Sequence, residues 1–173
     1  MKRKNERMIL SAVFLSIGMV LPFFTMQIKE IGDSLLPMHL PVMLCGIICG
    51  SGYGAIVGFV LPLLRAVCFN MPPLYPNAIW MAFELAAYGG VAGFLYNRFE
   101  KPSIRYLYFC LITAMLSGRI VWGIAKAILL GVGQRGFTIK AFIIGGFVDS
   151  IPGILLQLIL IPLIIRVANY VKK

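Results

Sequence analysis

The stretch GFVLPLLRAVCFNMPPLYPNAIWMAFELAAYGG, Gly58–Gly90, decides how the chain is read. Two apolar runs flank the segment NMPPLYP (Asn70–Pro76), where prolines without N–H groups break any helix. A helix of a soluble domain carries a polar face opposite its apolar stripe. These runs carry no such face, and Arg65 and Glu84 are their only charged groups. The rest of the chain agrees. Of its 173 residues 60% are hydrophobic and 13% charged, with a mean hydropathy of +0.92, whereas a soluble domain is about half apolar and about a quarter charged. A chain this small has too much surface for its volume to hide that apolar area in one core. Lipid is the solvent for most of its length, and an ordinary soluble enzyme is excluded.

A bilayer core of about 30 Å takes about 20 apolar residues per helix. Six such spans are read, over about residues 8–26, 40–50, 53–69, 77–96, 106–130 and 139–165, in one all-α membrane domain covering 1–173. The second is too short to cross alone, so it is tilted or packed inside the bundle. MKRKNERM followed by ILSAVFLSIGMVLPFF has the basic and apolar regions of a signal peptide, but no A-x-A-like cleavage site follows, so it is read as an uncleaved first span.

The net charge of +10, from 16 Lys+Arg against 6 Asp+Glu, could indicate nucleic acid, but its arrangement indicates topology. With six spans both termini share a side. Placed inside, that side holds ten cations: Lys2, Arg3, Lys4, Arg7, Arg98, Lys101, Arg105, Arg166, Lys172 and Lys173. The outer side holds Lys29, Arg135 and Lys140, and the remaining three, Arg65, Arg119 and Lys126, fall within spans. The asymmetry puts both termini in the cytoplasm by the positive-inside rule, and nucleic acid is not a partner.

Small residues mark close helix contacts. Gly46, Gly50, Gly54 and Gly58 recur every fourth residue, as do Gly89 and Gly93, and Ala12 with Ser16; such faces let backbones approach in lipid. The glycine sets read as internal packing, whereas Ala12/Ser16 on a first span suits either packing or a partner protein. Cys45, Cys49, Cys68 and Cys110 lie in apolar stretches without metal-ligand spacing and read as small packing residues. No metal or cofactor site is expected.

Arg65, Glu84, Arg119, Lys126 and Asp149 lie within spans, where each costs roughly 2.5–3.5 kcal/mol. All fall at mid-depth or toward the outer side. Arg119, Trp122 and Lys126 share one helix face; Asn77, Trp80, Glu84 and Tyr88 share another. Polar groups among aromatic walls make a small-molecule pocket. Tyr75 and Asn77 sit at its outer mouth beside the prolines, the loop Gln27–His39 covers it, and His39, the only histidine, is either a loop residue or a ligand contact. The interior charges sum to +3 and −2, so an anionic ligand group would balance the surplus, and Arg65 or Arg119 could hold a carboxylate bidentately. Interior ion pairs, Arg119 with Glu84 or Lys126 with Asp149, are the structural alternative. The chain has no phosphate-cradling loop, no HExxH and no nucleophile elbow, so it is not expected to be an enzyme or to hydrolyse ATP itself.

LPMHLPVMLCGIICG (Leu36–Gly50), the stretch Gly58–Gly90, GRIVWG (Gly118–Gly123) and the Ala12-xxx-Ser16 pair resemble, over nearly the whole chain, the S-components of energy-coupling factor (ECF) vitamin transporters, with the pantothenate-type branch the nearest likeness. The resemblance implies a substrate-binding subunit in a bacterial plasma membrane. It would capture a vitamin from outside, then deliver it through a transmembrane coupling protein and two cytoplasmic ATPases. It also implies docking through a small-residue motif on the first span, here Ala12 and Ser16, where serine replaces the family's second alanine. The implied pocket is built from spans 4, 5 and 6 with the outer loops. A stand-alone ion-driven carrier, a membrane enzyme or assembly factor, and an S-component for a pyrimidine- or pyridoxine-type vitamin stay open.

Overall fold

Glycines let neighbouring helices of this bundle meet backbone to backbone. The computed structural model describes residues 2–25, 35–99, 103–131 and 138–171, and among them all regular structure is helical. The order is α1 (Lys2–Val20), a 3-10 turn (Leu21–Thr25), α2 (His39–Cys49), α3 (Ser51–Phe69), a bent segment (Leu74–Ala78) leading into α4 (Ile79–Tyr96), α5 (Ile104–Leu130), α6 (Ile139–Ile143), a π-type turn (Ile144–Val148) and α7 (Ile151–Val171). Five stretches are long and apolar enough to cross a membrane: Lys4–Phe24, Ser51–Phe69, Leu74–Tyr96, Ile104–Leu130 and Ile144–Ala168. The 11-residue α2 is too short and is buried along nearly its whole length, packed against α1, α3 and α4.

The helix bounds differ from the sequence reading where hydropathy is silent. α1 begins at Lys2 rather than near Met8, because Lys, Arg and Glu are good helix formers although they are polar. It gives way at Leu21 to the tighter turn, where Pro22 supplies no N–H. The expected unbroken sixth span is interrupted. Gly145 and Gly146 fall in the π-type turn, where the Asp149 N–H donates to the Ile144 carbonyl at 3.0 Å and the Ser150 hydroxyl to the Gly145 carbonyl at 3.2 Å. Pro152 then occupies the first turn of α7, where a missing N–H is tolerated.

α2, α3 and α4 meet backbone to backbone. A Cβ on Gly46 would collide with the Gly89 carbonyl, one on Gly89 with the Gly54 carbonyl, and one on Gly58 with the Leu85 carbonyl. These are the glycines whose spacing indicated packing. Gly50 joins α2 to α3 at φ 112°, a conformation L side chains rarely adopt. Asn97 ties the far end of α4 down: its side-chain amide donates to the Gly93 carbonyl at 2.7 Å and the Gly46 carbonyl at 3.3 Å. Around this seam Leu40, Met43, Leu44, Tyr88, Leu111 and Ile161 form a buried core.

The outer surface is apolar. Met8, Ile9, Val13, Ile17 and Val20 of α1, Ile120, Ile124 and Ile128 of α5, and Leu155, Ile159 and Leu163 of α7 are all exposed. In contrast, Arg65, Glu84 and Arg119 are 2%, 2% and 3% exposed. Charges inside and aliphatic rows outside invert the arrangement of a soluble bundle. A continuous apolar exterior of this kind belongs in lipid.

Candidate functional site

Helix ends converge to build one cavity of about 620 Å³, within the roughly 300–1,000 Å³ usual for small-molecule sites. It is lined by Pro22 after α1, Leu36–His39 at the start of α2, Arg65 and Asn70 at the end of α3, Met71–Pro73 of the loop, Asn77, Trp80, Met81 and Glu84 of the following segment and α4, Arg119, Trp122 and Lys126 of α5, and Gly145, Asp149 and Ser150 of the last broken span. The exposed cations Lys4, Arg7, Arg98, Arg105 and Arg166 sit at the opposite helix ends. The bundle therefore has a cavity end and a basic end.

Local sequence explains the cavity floor and rim. Asn70 ends α3 in the left-handed conformation (φ 54°), with its N–H donating to the Ala66 carbonyl at 3.0 Å; asparagine tolerates that conformation. The loop of prolines then returns the chain so that the Ala78 N–H donates to the Pro73 carbonyl at 3.0 Å, with Tyr75 extended between them. This turn delivers Asn77, Trp80 and Glu84 to the cavity on successive turns of one face.

Glu84 is the hub. The Arg119 Nη1 donates to its Oε1 at 2.8 Å, and His39 Nε2 lies 3.4 Å from the same oxygen. The imidazole packs edge-on against Tyr88, with centroids 4.8 Å apart. A charge-assisted bond of this kind is stronger than a neutral one, and each partner here is nearly fully buried. Arg119 Nε and Nη2 and His39 Nδ1 are buried without hydrogen-bond partners among the described residues. The interior pair Arg119–Glu84, one of the two alternatives read from sequence, is thus present, and it leaves donors over.

The other cations are held by aromatic rings. The Arg65 Nη1 donates to the Met19 carbonyl in the last turn of α1, and its guanidinium lies 5.3 Å from both the Phe23 and Phe69 ring centroids. The Lys126 ammonium lies 5.0 Å from Trp80 and 4.5 Å from Trp122. Gly145 and Gly146 pass against the benzene ring of Trp122: a Cβ on either would be 3.4 Å from it.

Of the residues singled out from sequence, His39, Arg65, Asn77, Trp80, Glu84, Arg119, Trp122, Lys126 and Asp149 line the cavity together. Tyr75 does not: it is 65% exposed and outside the lining, because its extended backbone turns it away between the two proline bends. Ala12 and Ser16 are exposed on α1, with the Ser16 hydroxyl donating to the Ala12 carbonyl at 3.0 Å, so both face away from the other helices. Most of the loop Gln27–His39 lies outside the described residues, as does Arg135.

Sequence reasoning missed Ser150; it placed the proline loop at the mouth and the loop ending at His39 over it, without singling out Asn70 or Met38. Only Asn70, directly before a Met-Pro-Pro run, carried a readable signal as a helix stop. It also passed over Gln157, 1% exposed on α7 with both amide atoms unpartnered among the described residues. A single glutamine inside ILLQLILI was the available sign. No group of three His, Cys, Asp or Glu side chains able to hold a metal occurs among the described residues, and of the cysteines Cys45, Cys49 and Cys110 are buried whereas Cys68 is exposed.

No curated protein and no solved structure matches the chain. Residues 6–165 match the family model described as ECF transporter, substrate-specific component, a match that takes in all five long apolar stretches apart from the ends of the first and last. A buried, charged, small-molecule cavity inside an apolar helical bundle is what a membrane substrate-binding subunit requires, and the chain belongs to the family of substrate-specific components of ECF transporters.

Proposed function

We propose that this chain is the S-component of a bacterial ECF transporter for pantothenate. The observation that carries this reading is the cavity of about 620 Å³ lined by three cations, Arg65, Arg119 and Lys126, against two carboxylates, Glu84 and Asp149. Pantothenate is a small carboxylate with hydroxyl and amide groups. Its charge would offset the surplus cation, and Asn77, Ser150 and His39 offer it hydrogen-bonding partners. Glu84 keeps Arg119 in place, and Trp80 and Trp122 wall the site.

The chain spans the membrane as one six-span unit, with α2 as the short second span. Both termini are cytoplasmic, which sets the basic end inside and the cavity end outside, as the positive-inside rule requires. The vitamin enters from outside, and Ala12 and Ser16, exposed on α1, dock onto a transmembrane coupling protein that works with two cytoplasmic ATPases. Small residues suit that surface because a partner helix can approach its backbone closely.

Uptake of labelled pantothenate in cells tests the reading. Disabling the coupling ATPases should abolish it; continued uptake would mean a self-sufficient carrier. Ala12→Trp should abolish uptake while purified protein still binds the vitamin. Loss of binding as well would make that face part of the fold.

A further inference from the structure

The two indoles of the cavity already have an occupant. The Lys126 ammonium lies over both rings, 5.0 Å from Trp80 and 4.5 Å from Trp122. Trp122 is further covered by the Gly145–Gly146 backbone and by Phe142, whose centroid is 6.0 Å away at a 31° tilt. Trp80 and Trp122 are 8% and 7% exposed, so little of either ring is open. A flat heteroaromatic ligand binds such a site by stacking on an indole, and here it would have to expel the ammonium and lose two cation–π contacts. An anion has the opposite relation to Lys126. It can meet the ammonium from the cavity side, which Lys126 lines, and leave it between the rings.

We infer that Lys126 sets the selectivity of the cavity: by filling the slot between Trp80 and Trp122 it admits open-chain carboxylates and rejects neutral heteroaromatic rings. The inference rests on the substrate-binding reading above and names the chemical class that the site takes. It assigns the tryptophans the work of positioning a cation, which disfavours the pyrimidine- or pyridoxine-type vitamin that the sequence left open.

The test compares matched probes on the full-length purified protein in lipid nanodiscs, by calorimetry and by the fluorescence of the chain's 2 tryptophans, both of which line the cavity. The probes are pantothenate, its neutral alcohol panthenol, which has the same body without the carboxylate, and pyridoxine. The natural protein should bind pantothenate at least about 10-fold tighter than panthenol and should not bind pyridoxine. Lys126→Met should bring pantothenate and panthenol to within about threefold of each other and permit pyridoxine binding, and Lys126→Arg should restore the preference for the carboxylate. Equal binding of pantothenate and panthenol by the natural protein, pyridoxine binding by the natural protein, or an unchanged ratio in Lys126→Met would each overturn the inference. Should Lys126→Met fail to fold, Lys126→Gln makes the same comparison. Binding of a different carboxylate vitamin, with its neutral amide rejected, removes the pantothenate assignment and supports the role of Lys126.

Discussion

The two ends of α4 hold the same helix in opposite ways. At one end Gly89 and Gly93 bring backbone against backbone, so that no side chain separates α4 from α2 and α3. At the other end Trp80 and Glu84 hold the neighbouring helices apart around a cavity, with one carboxylate oxygen serving both Arg119 and His39. The first end is dense and tolerates nothing added. The second has space but few bonds, and depends on each. In lipid there is no hydrophobic drive between helices, so a membrane protein that must keep a polar hole open needs a tight seam elsewhere. The glycine seam fixes the angle at which α4 enters the cavity, and so positions a hub that few contacts of its own support.

That contrast can be broken most severely at the seam. Gly89→Leu would drive a side chain into the Gly54 carbonyl. A backbone cannot swing aside as a side chain does, so the cost should lie at or above the roughly 1–3 kcal/mol of ordinary overpacking. The expected result is loss of monodisperse, thermally stable protein in detergent. A melting temperature unchanged from the natural protein would mean that the seam is not a rigid frame.

Next comes the hub. Glu84→Ala leaves the Arg119 guanidinium, 3% exposed, without its carboxylate. Removing one partner of a buried pair costs about 3–5 kcal/mol. The variant should be destabilised and should bind ligand poorly, whereas the paired change Glu84→Gln with Arg119→Met should recover stability without recovering binding. Recovery of both would demote the pair to a structural strut.

A far smaller effect is expected at the exposed Tyr75. Tyr75→Ala removes a side chain that is 65% exposed and does not line the cavity. Affinity should stay within about twofold, since surface changes of this kind fall within about 0.5 kcal/mol. A tenfold loss would mean that Tyr75 reaches the ligand after all.

The unequal legibility of the two ends has a physical basis. The seam was legible because close backbone approach demands glycine at fixed helical spacing, and Gly46, Gly54 and Gly89 declare themselves in order. The cavity faces were legible for the same periodic reason: Arg119, Trp122 and Lys126 fall on one side of a regular helix. What periodicity cannot give is which group meets which across helices. Arg65, read as a carboxylate holder, spends one donor on the Met19 carbonyl of α1, far away in sequence. The break in the last span was hidden because Ile144–Val148 stays apolar, and only its two glycines hinted that the helix loosens there. Tyr75, extended between two proline bends, lies outside the lining that Asn77 and Trp80 share, a local backbone detail that periodicity does not carry.

Calorimetric titration of purified protein with the B vitamins, in the natural chain and in Arg119→Ala, asks whether the cavity end binds one small anionic molecule through the Glu84–Arg119 hub. Saturable one-to-one binding of pantothenate, weakened about 10-fold or more in a variant that remains monodisperse, is the expected result. Binding of equal strength in the two proteins, or no saturable binding of any vitamin by the natural chain, would contradict it.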